Sequence, residues 1–481
     1  MKHIKDYLVE SCVKFETKVA IVSKKSELTY GELLDSAQKI AKCIGTQKHI
    51  GICFKDPLNF SKSYLAVLMS ESTVVLISNN ATKYEVKQLI SRARCDVVLT
   101  DRPDLLNESN KFISIKNIKE INWNYSKSGQ KMTYKEVPIL LQTSGSTSIP
   151  KIIKLSHEAL YENAMAHNSH LNIASDNVAL ITTPVTSSFG HITQFLSQLL
   201  IGGQIIFLSS PFTVGDFYQS VERFNVNTTG LVATQLHLLI NSSLCKDIES
   251  LRYIVCAGGP ITNKDIQQIA LKMPNTEVLR AYGLTEAGPR VTCCRPGVKS
   301  DFGTSGTPLR GVKVKIVRED GANCNEGEAG EIMVRSPAIF NGYYLNKAAT
   351  SEVLSKGWLK TGDIGFIKGD NLTVIGRNSN KIIVGGFTVY SEEVEEYIMS
   401  ISGIKDVVVY GIKDSLYGEN VAVDCELEEK SELNCDVIKK ICQQNLSAYK
   451  VPSEINIVEK VKRSETGKLI RKNLGVLSYD K

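Results

Sequence analysis

From residue 1 to about 290, short β-branched runs alternate with helix-length segments, and this alternation limits the fold more than any other feature of the chain. Strand-like runs fall at Ile50–Cys53, Thr73–Ile77 and Val97–Thr100, separated by helical stretches at Lys62–Met69 and Lys83–Arg92. Leu28 to Leu34 opens a helix, with Thr29 as N-cap and Glu32 completing a capping box. The pattern resumes with a helix at Ser156–Leu171, a strand at Val178–Thr183, a helix at His191–Leu200 and a strand at Gln204–Leu208. Strands at Tyr253–Cys256 and Glu277–Ala281 follow. Strand–helix–strand alternation predicts parallel sheets covered by helices.

The texture changes after about 300, where Val312–Val317, Gly330–Val334 and Asn371–Val374 read as short strands of a β-rich module. A compact α+β segment begins near 381, with strands at Lys381–Val384, Lys405–Gly411 and Val421–Leu427 and helices at Ser391–Ser400 and Cys435–Leu446. The expected architecture is α/β: a large N-terminal domain (1–376) of helix-covered mixed sheets with a β-rich subdomain (about 300–376). A polar hinge (377–380) then joins it to a small α+β C-terminal domain (381–481). A chain of 481 residues has room for two or three such units.

Composition excludes several classes. With 42% hydrophobic and 22% charged residues the chain is neither fibrous nor disordered. A net charge of +6 over this length does not argue for nucleic acid; it suits an ordinary Lys-rich surface or anionic partners. None of the 12 cysteines forms a C-x-x-C pair, which predicts no zinc site and a reducing, cytoplasmic setting. No uncharged apolar run reaches the roughly 18 residues of a membrane span, and the N-terminus lacks an apolar signal core. A soluble protein with no transmembrane segment is expected.

The chemistry begins at Gln142-Thr143-Ser144-Gly145-Ser146-Thr147-Ser148-Ile149-Pro150-Lys151. Runs dense in Gly, Ser and Thr offer backbone N–H groups and hydroxyls to phosphate oxygens, and a trailing Lys adds positive charge. The run follows a strand-like Val137–Gln142 and leads toward the helix near Ser156, and it is not a Walker A sequence. Alone, it reads equally well as a linker. Downstream, in fixed order, come Ala281-Tyr282-Gly283-Leu284-Thr285-Glu286-Ala287-Gly288; Gly330-Glu331-Ile332 with Gly342-Tyr343-Tyr344; and Gly357 to Gly365 around Thr361-Gly362-Asp363. Gly376-Arg377 with Lys381 to Gly386, and Ser464-Glu465-Thr466-Gly467-Lys468-Leu469-Ile470-Arg471, complete the series.

This ordered set resembles the acyl-adenylate-forming superfamily over essentially the whole chain, and among its members the AMP-forming acyl-CoA synthetases most. The resemblance implies ATP-dependent activation of a carboxylic acid, with Mg²⁺, and transfer to a phosphopantetheine thiol. That thiol belongs to coenzyme A, or to an acyl or peptidyl carrier protein in a stand-alone adenylation enzyme. It implies that Thr143, Ser144, Gly145, Ser146, Thr147, Ser148 and Lys151 form a phosphate loop, with Thr147 near Mg²⁺. Gly258-Gly259-Pro260 and Tyr282-Gly283 would flank adenine, Thr285 would bind the α-phosphate, and Glu286 would hold Mg²⁺. Asp363 would accept both ribose hydroxyls, Arg377 would support the ribose or phosphate nearby, and Lys468 would be the adenylation catalyst. Gly386 would line the phosphopantetheine tunnel after rotation of the C-terminal domain. The remaining alternative is a non-catalytic adenylate-binding protein, against which Lys468, Glu286 and Asp363 stand.

Departures from the family pattern are Ser148 and Ile152 where glycines are usual, and Ser379 where the hinge has Asp or Lys. In the segment expected to line the acid pocket, Ser187 replaces a histidine, with Ser188 beside it and His191 four residues on, at a helix N-terminus or in the pocket. No Asp or Glu occurs from Pro184 to His191, which disfavours an α-amino acid, since its ammonium would lack a partner. A β-amino acid stays open. Arg290 is expected to sit in a structural salt bridge or to face a polar or anionic substrate.

Overall fold

The computed structural model describes residues 2–24, 26–46, 48–106, 112–114, 134–143, 150–208, 211–259, 261–297, 303–385, 387–463 and 469–471. Among these, the strands form four sheets. A nine-stranded sheet has five consecutive parallel pairings at its centre, from Val19–Val22 through Gln204–Phe207, Val178–Ile181, Thr228–Leu231 and Tyr253–Cys256 to Glu277–Tyr282. Its edges are antiparallel, Glu27–Thr29 on one side and Thr292–Cys293 on the other, so the sheet is mixed. A six-stranded sheet runs Phe112–Ser114, Val97–Thr100, His49–Cys53, Thr73–Leu76, Ile139–Gln142, Ile152–Leu155 and is parallel except for its last pair. The β-rich module is a five-stranded antiparallel sheet built on Trp358–Lys368.

Local chemistry accounts for many of the helix starts. Thr29 accepts from the Glu32 amide at 3.2 Å while Glu32 accepts from the Thr29 amide at 2.8 Å, beginning helix Tyr30–Ala41. The Lys62–Met69 helix starts earlier than expected, at Pro57, because Asp56 caps it and proline suits its first turn. The helix expected at His191–Leu200 instead begins as a π-helical stretch, Phe189–Leu196, before the α-helical Ser197–Ile201. Such widened turns are frequent at functional sites.

One expectation from the sequence needs correction here. The phosphate-loop run does not lead directly into the helix at residue 157, because strand Ile152–Leu155 intervenes and folds back antiparallel on Ile139–Gln142. Ile152 is buried in that strand and its carbonyl accepts from the Tyr344 amide at 2.7 Å, so a side chain replacing the usual glycine is spent on packing.

One large apolar core links the N-terminal helices, both big sheets and the β-rich module through residues such as Ile50, Leu141, Phe195 and Val334. The C-terminal unit packs separately: Ile382, Val389, Ile398, Val409, Val423 and Ile438 form its own core. Its sheet runs Phe387–Tyr390, Lys381–Val384, Gly418–Leu427, Ile404–Asp414, with Glu454–Val458 added parallel to Gly418–Leu427. No helix among the described residues is long and apolar enough to cross a membrane.

Candidate active site

The parallel strands Thr228–Leu231, Tyr253–Cys256 and Glu277–Tyr282 stay in register, with Leu231 beside Cys256 and Cys256 beside Arg280. The turns leaving their C-terminal ends, at Val232, Gly258-Gly259 and Gly283, therefore meet along one sheet edge. That edge is where open α/β sheets hold ligands. Gly283 is required there by a close approach, since a Cβ would lie 2.1 Å from the Pro289 carbonyl oxygen. The chain folds back on itself at this point and leaves Thr285 and Glu286 on a single 3₁₀ turn, Thr285–Ala287.

Three side-chain groupings converge on this edge. In the first, the hydroxyls of Thr285 and Ser188 lie 2.9 Å apart. Ser187, the residue expected at the histidine position, is instead turned to the backbone, donating to the Pro184 carbonyl at 2.8 Å and accepting from the Gly190 amide at 3.1 Å. In the second, Tyr343 donates to Glu286 Oε1 at 2.9 Å, and Lys151 Nζ stands 4.6 Å from the centre of the Tyr343 ring. Burial, then the adjacent Glu286 carboxylate, push the Tyr343 phenol pKa up and keep it a donor. In the third, the buried Asp363 accepts from Tyr282 Oη at 2.7 Å on Oδ2 and from Arg377 Nε at 2.9 Å on Oδ1. Burial and then the charge of Asp363 hold the Tyr282 phenol well above its ordinary pKa.

The phosphate loop is clasped at its base, where the Thr143 amide donates to the Lys151 carbonyl at 2.8 Å. Ser144, Gly145, Ser146, Thr147 and Ser148 lie outside the described residues, as do Pro260, Gly386 and Lys468.

His191 is the third residue of the π-helical stretch, fully buried, with Nε2 3.2 Å from Tyr64 Oη; burial lowers its pKa to about 3. Its ring is therefore neutral and packed in the core. The salt bridge expected for Arg290 is not found: among the described residues no carboxylate pairs with it, although its side chain is 1% exposed. Its guanidinium carbon instead stands 5.0 Å from the centre of the Phe189 ring, and Nη2 lies 3.4 Å from Thr193 Oγ1.

A family profile described as AMP-binding enzyme matches residues 8–344, and a second, described as AMP-binding enzyme C-terminal domain, matches residues 393–468. The chain belongs to the AMP-binding enzyme family. This family member is 27% identical over 346 residues to the long-chain-fatty-acid–CoA ligase of Haemophilus influenzae, covering 70% of this chain and 61% of that enzyme. It is 26% identical over 471 residues to the 2-succinylbenzoate–CoA ligase of Bacillus licheniformis, covering 95% of this chain and 96% of that one. Its fold matches the AMP complex of O-succinylbenzoate coenzyme A synthetase from Bacillus subtilis with a TM-score of 0.86, at 23% identity and 97% coverage of both chains.

In this AMP-binding enzyme the described residues that flank Lys468 in sequence are held by ion pairs. Arg463 pairs with Asp406 at 2.7 Å, and Arg471 pairs with Glu395 at 2.6 Å. Glu392, near the same arginine, accepts from Asn380 Nδ2 at 2.6 Å, which joins the expected hinge to this network. Ser379 donates to Asn380 Oδ1 at 3.2 Å. Sequence reasoning assigned no role to Tyr343, Glu392 or Arg471. Tyr343 stood inside a quoted motif, but nothing in its spacing pointed to Glu286.

Proposed function

We propose that this chain activates a carboxylic acid with ATP and transfers the acyl group to the phosphopantetheine thiol of coenzyme A. The observation that carries the reading is the convergence of Thr285–Ser188, Glu286–Tyr343–Lys151 and Asp363–Tyr282–Arg377 on one sheet edge. An acid oxygen attacks the α-phosphorus, the bond to the β-phosphate oxygen breaks, and pyrophosphate leaves. The thiolate sulfur then attacks the acyl carbonyl and AMP departs. Neither step needs a protein nucleophile, so positioning and charge stabilisation do the catalysis.

Thr285 is placed for the α-phosphate, and Tyr282 with Gly258-Gly259 for the base. Asp363 suits the ribose, because an ionised carboxylate is an acceptor-only group and the ribose hydroxyls are donors. Glu286 fits Mg²⁺: Tyr343 fixes one of its oxygens, and no cluster of three His, Cys, Asp or Glu ligands exists among the described residues. A cation there would share one carboxylate with substrate phosphates, the arrangement Mg²⁺ favours, and would neutralise charge on the leaving pyrophosphate. Thr147 and Lys151 serve the same phosphates, and Lys468 serves the attack.

Residues 1–376 are the adenylating domain, 377–380 the hinge and 381–481 a mobile domain that also presents Gly386 to the thiol. The separate core of the C-terminal unit supports this division. Twelve free cysteines support a reducing, cytoplasmic setting.

ATP–pyrophosphate exchange across a panel of carboxylic acids tests the reading, followed by thioester trapping with coenzyme A and with carrier proteins. Exchange with no acid overturns it. Thioester formation only on a carrier protein would replace coenzyme A as the acceptor. Within this scheme Tyr343→Phe removes one donor from Glu286, worth about 1.5 kcal/mol for a charged acceptor, so the Mg²⁺ needed for half-maximal exchange is expected to rise about tenfold. An unchanged Mg²⁺ requirement would detach Tyr343 from the metal site.

A further inference from the structure

Arg290 is the largest of the fully buried side chains, at 1% exposure. A guanidinium keeps its charge at every physiological pH, and an unpaired charge in the interior is expensive. Among the described residues no acceptor reaches its Nε or Nη1, and Nη2 has only Thr193 Oγ1 at 3.4 Å. The Phe189 ring, 5.0 Å from Cζ, offers a weaker attraction than an anion would. Nearby titratable groups supply no negative charge. Burial and then Arg290 itself drive the His167 pKa far down, and burial pushes the thiols of Cys256 and Cys293 up.

The guanidinium lines a cavity of about 20 Å³ together with Phe189, Thr193, Gln194, Thr229 and Gly230. That is room for one small polar group. Two chain segments join the wall of this cavity to the proposed reaction centre. Phe189 follows Ser188, which bonds Thr285, and the Pro289 carbonyl packs on Gly283. Asn163 Nδ2 donates to the Arg290 carbonyl at 2.9 Å and fixes this turn.

We propose that this cavity receives the far end of the acid substrate and that this end is a second carboxylate, held by Arg290 through the Nε and Nη1 donors that no described acceptor reaches. The substrate class is then a dicarboxylic acid, activated at one end and anchored at the other. This rests on the adenylation reading above. A site built around an unpaired buried donor discriminates strongly against ligands lacking the acceptor, because binding them leaves the charge uncompensated.

The test is ATP–pyrophosphate exchange with dicarboxylic acids of four to eight or so carbons and with monocarboxylic acids of matched length. The wild type is expected to favour its best diacid by at least about a hundredfold in kcat/KM over the matched monoacid. Arg290→Met should bring that ratio near one. Thr193→Asp places an internal carboxylate beside Nη2, so it should melt no lower than wild type and still lose the diacid preference; it guards against a folding defect in the methionine variant. Exchange with monoacids alone, or a ratio that neither variant changes, overturns this inference and leaves the adenylation reading standing. Exchange with no acid in either set overturns both.

Discussion

Lys468→Ala is expected to lower ATP–pyrophosphate exchange by at least about a thousandfold while leaving acyl transfer from a supplied acyl-adenylate to the thiol within a few-fold of wild type. The split follows from where charge develops. In the first half-reaction an anionic acid approaches an anionic α-phosphate, and a cation between them offsets repulsion that grows toward the transition state. In the second, AMP leaves from a carbonyl already activated, and that cation has no comparable task. Arg463–Asp406 and Arg471–Glu395 anchor the segment carrying Lys468 to the C-terminal unit. In the proposed scheme the lysine travels with the C-terminal unit, which has its own core, when that unit turns at residues 377–380. Exchange surviving in the variant would remove Lys468 from the chemistry. Loss of both half-reactions, with melting unchanged, would make it a general binding residue.

The parts of this fold written locally were legible in the sequence. Thr29–Glu32 announced a helix start because both halves of the capping box lie within four residues. The apolar runs at His49–Cys53 and Val97–Thr100 announced buried strands because neighbouring strands and helices cover both faces. Strand Ile152–Leu155 was missed because it is only four residues long and abuts the N-cap Ser156, so it resembled the tail of a loop. Trp358–Lys368 was quoted as a motif and not read as a strand, because Thr361-Gly362-Asp363 carries turn residues and Gly362 has φ +72°. For the site, single residues came through the family resemblance and their partners did not. Ser188 meets Thr285 across 97 positions and Tyr343 meets Glu286 across 57, separations at which no periodicity operates. Arg290 illustrates the same limit: an arginine's identity is local, but whether an acceptor reaches it depends on three other segments of the fold.

Asp363→Asn is expected to raise the ATP concentration for half-maximal exchange by about 30- to 100-fold, equivalent to about 2–3 kcal/mol for the two charge-assisted hydrogen bonds it disturbs. Asparagine keeps the volume, so packing of Trp358–Lys368 against Asn371–Arg377 should persist. What changes is donor and acceptor balance. The carboxylate now accepts from Tyr282 Oη through Oδ2 and from Arg377 Nε through Oδ1. The amide must turn its NH₂ toward one of these donors, and that pair becomes repulsive. Arg377 is half exposed and regains water, so the melting temperature should move little. Affinity has no such escape, because the buried end of the carboxylate faces the edge where the nucleotide ribose is proposed to sit. Tyr282→Phe isolates one of the two bonds and should shift ATP dependence by less. An ATP requirement within threefold or so of wild type in Asp363→Asn would mean that the carboxylate only ties Tyr282 to Arg377 and does not meet the nucleotide.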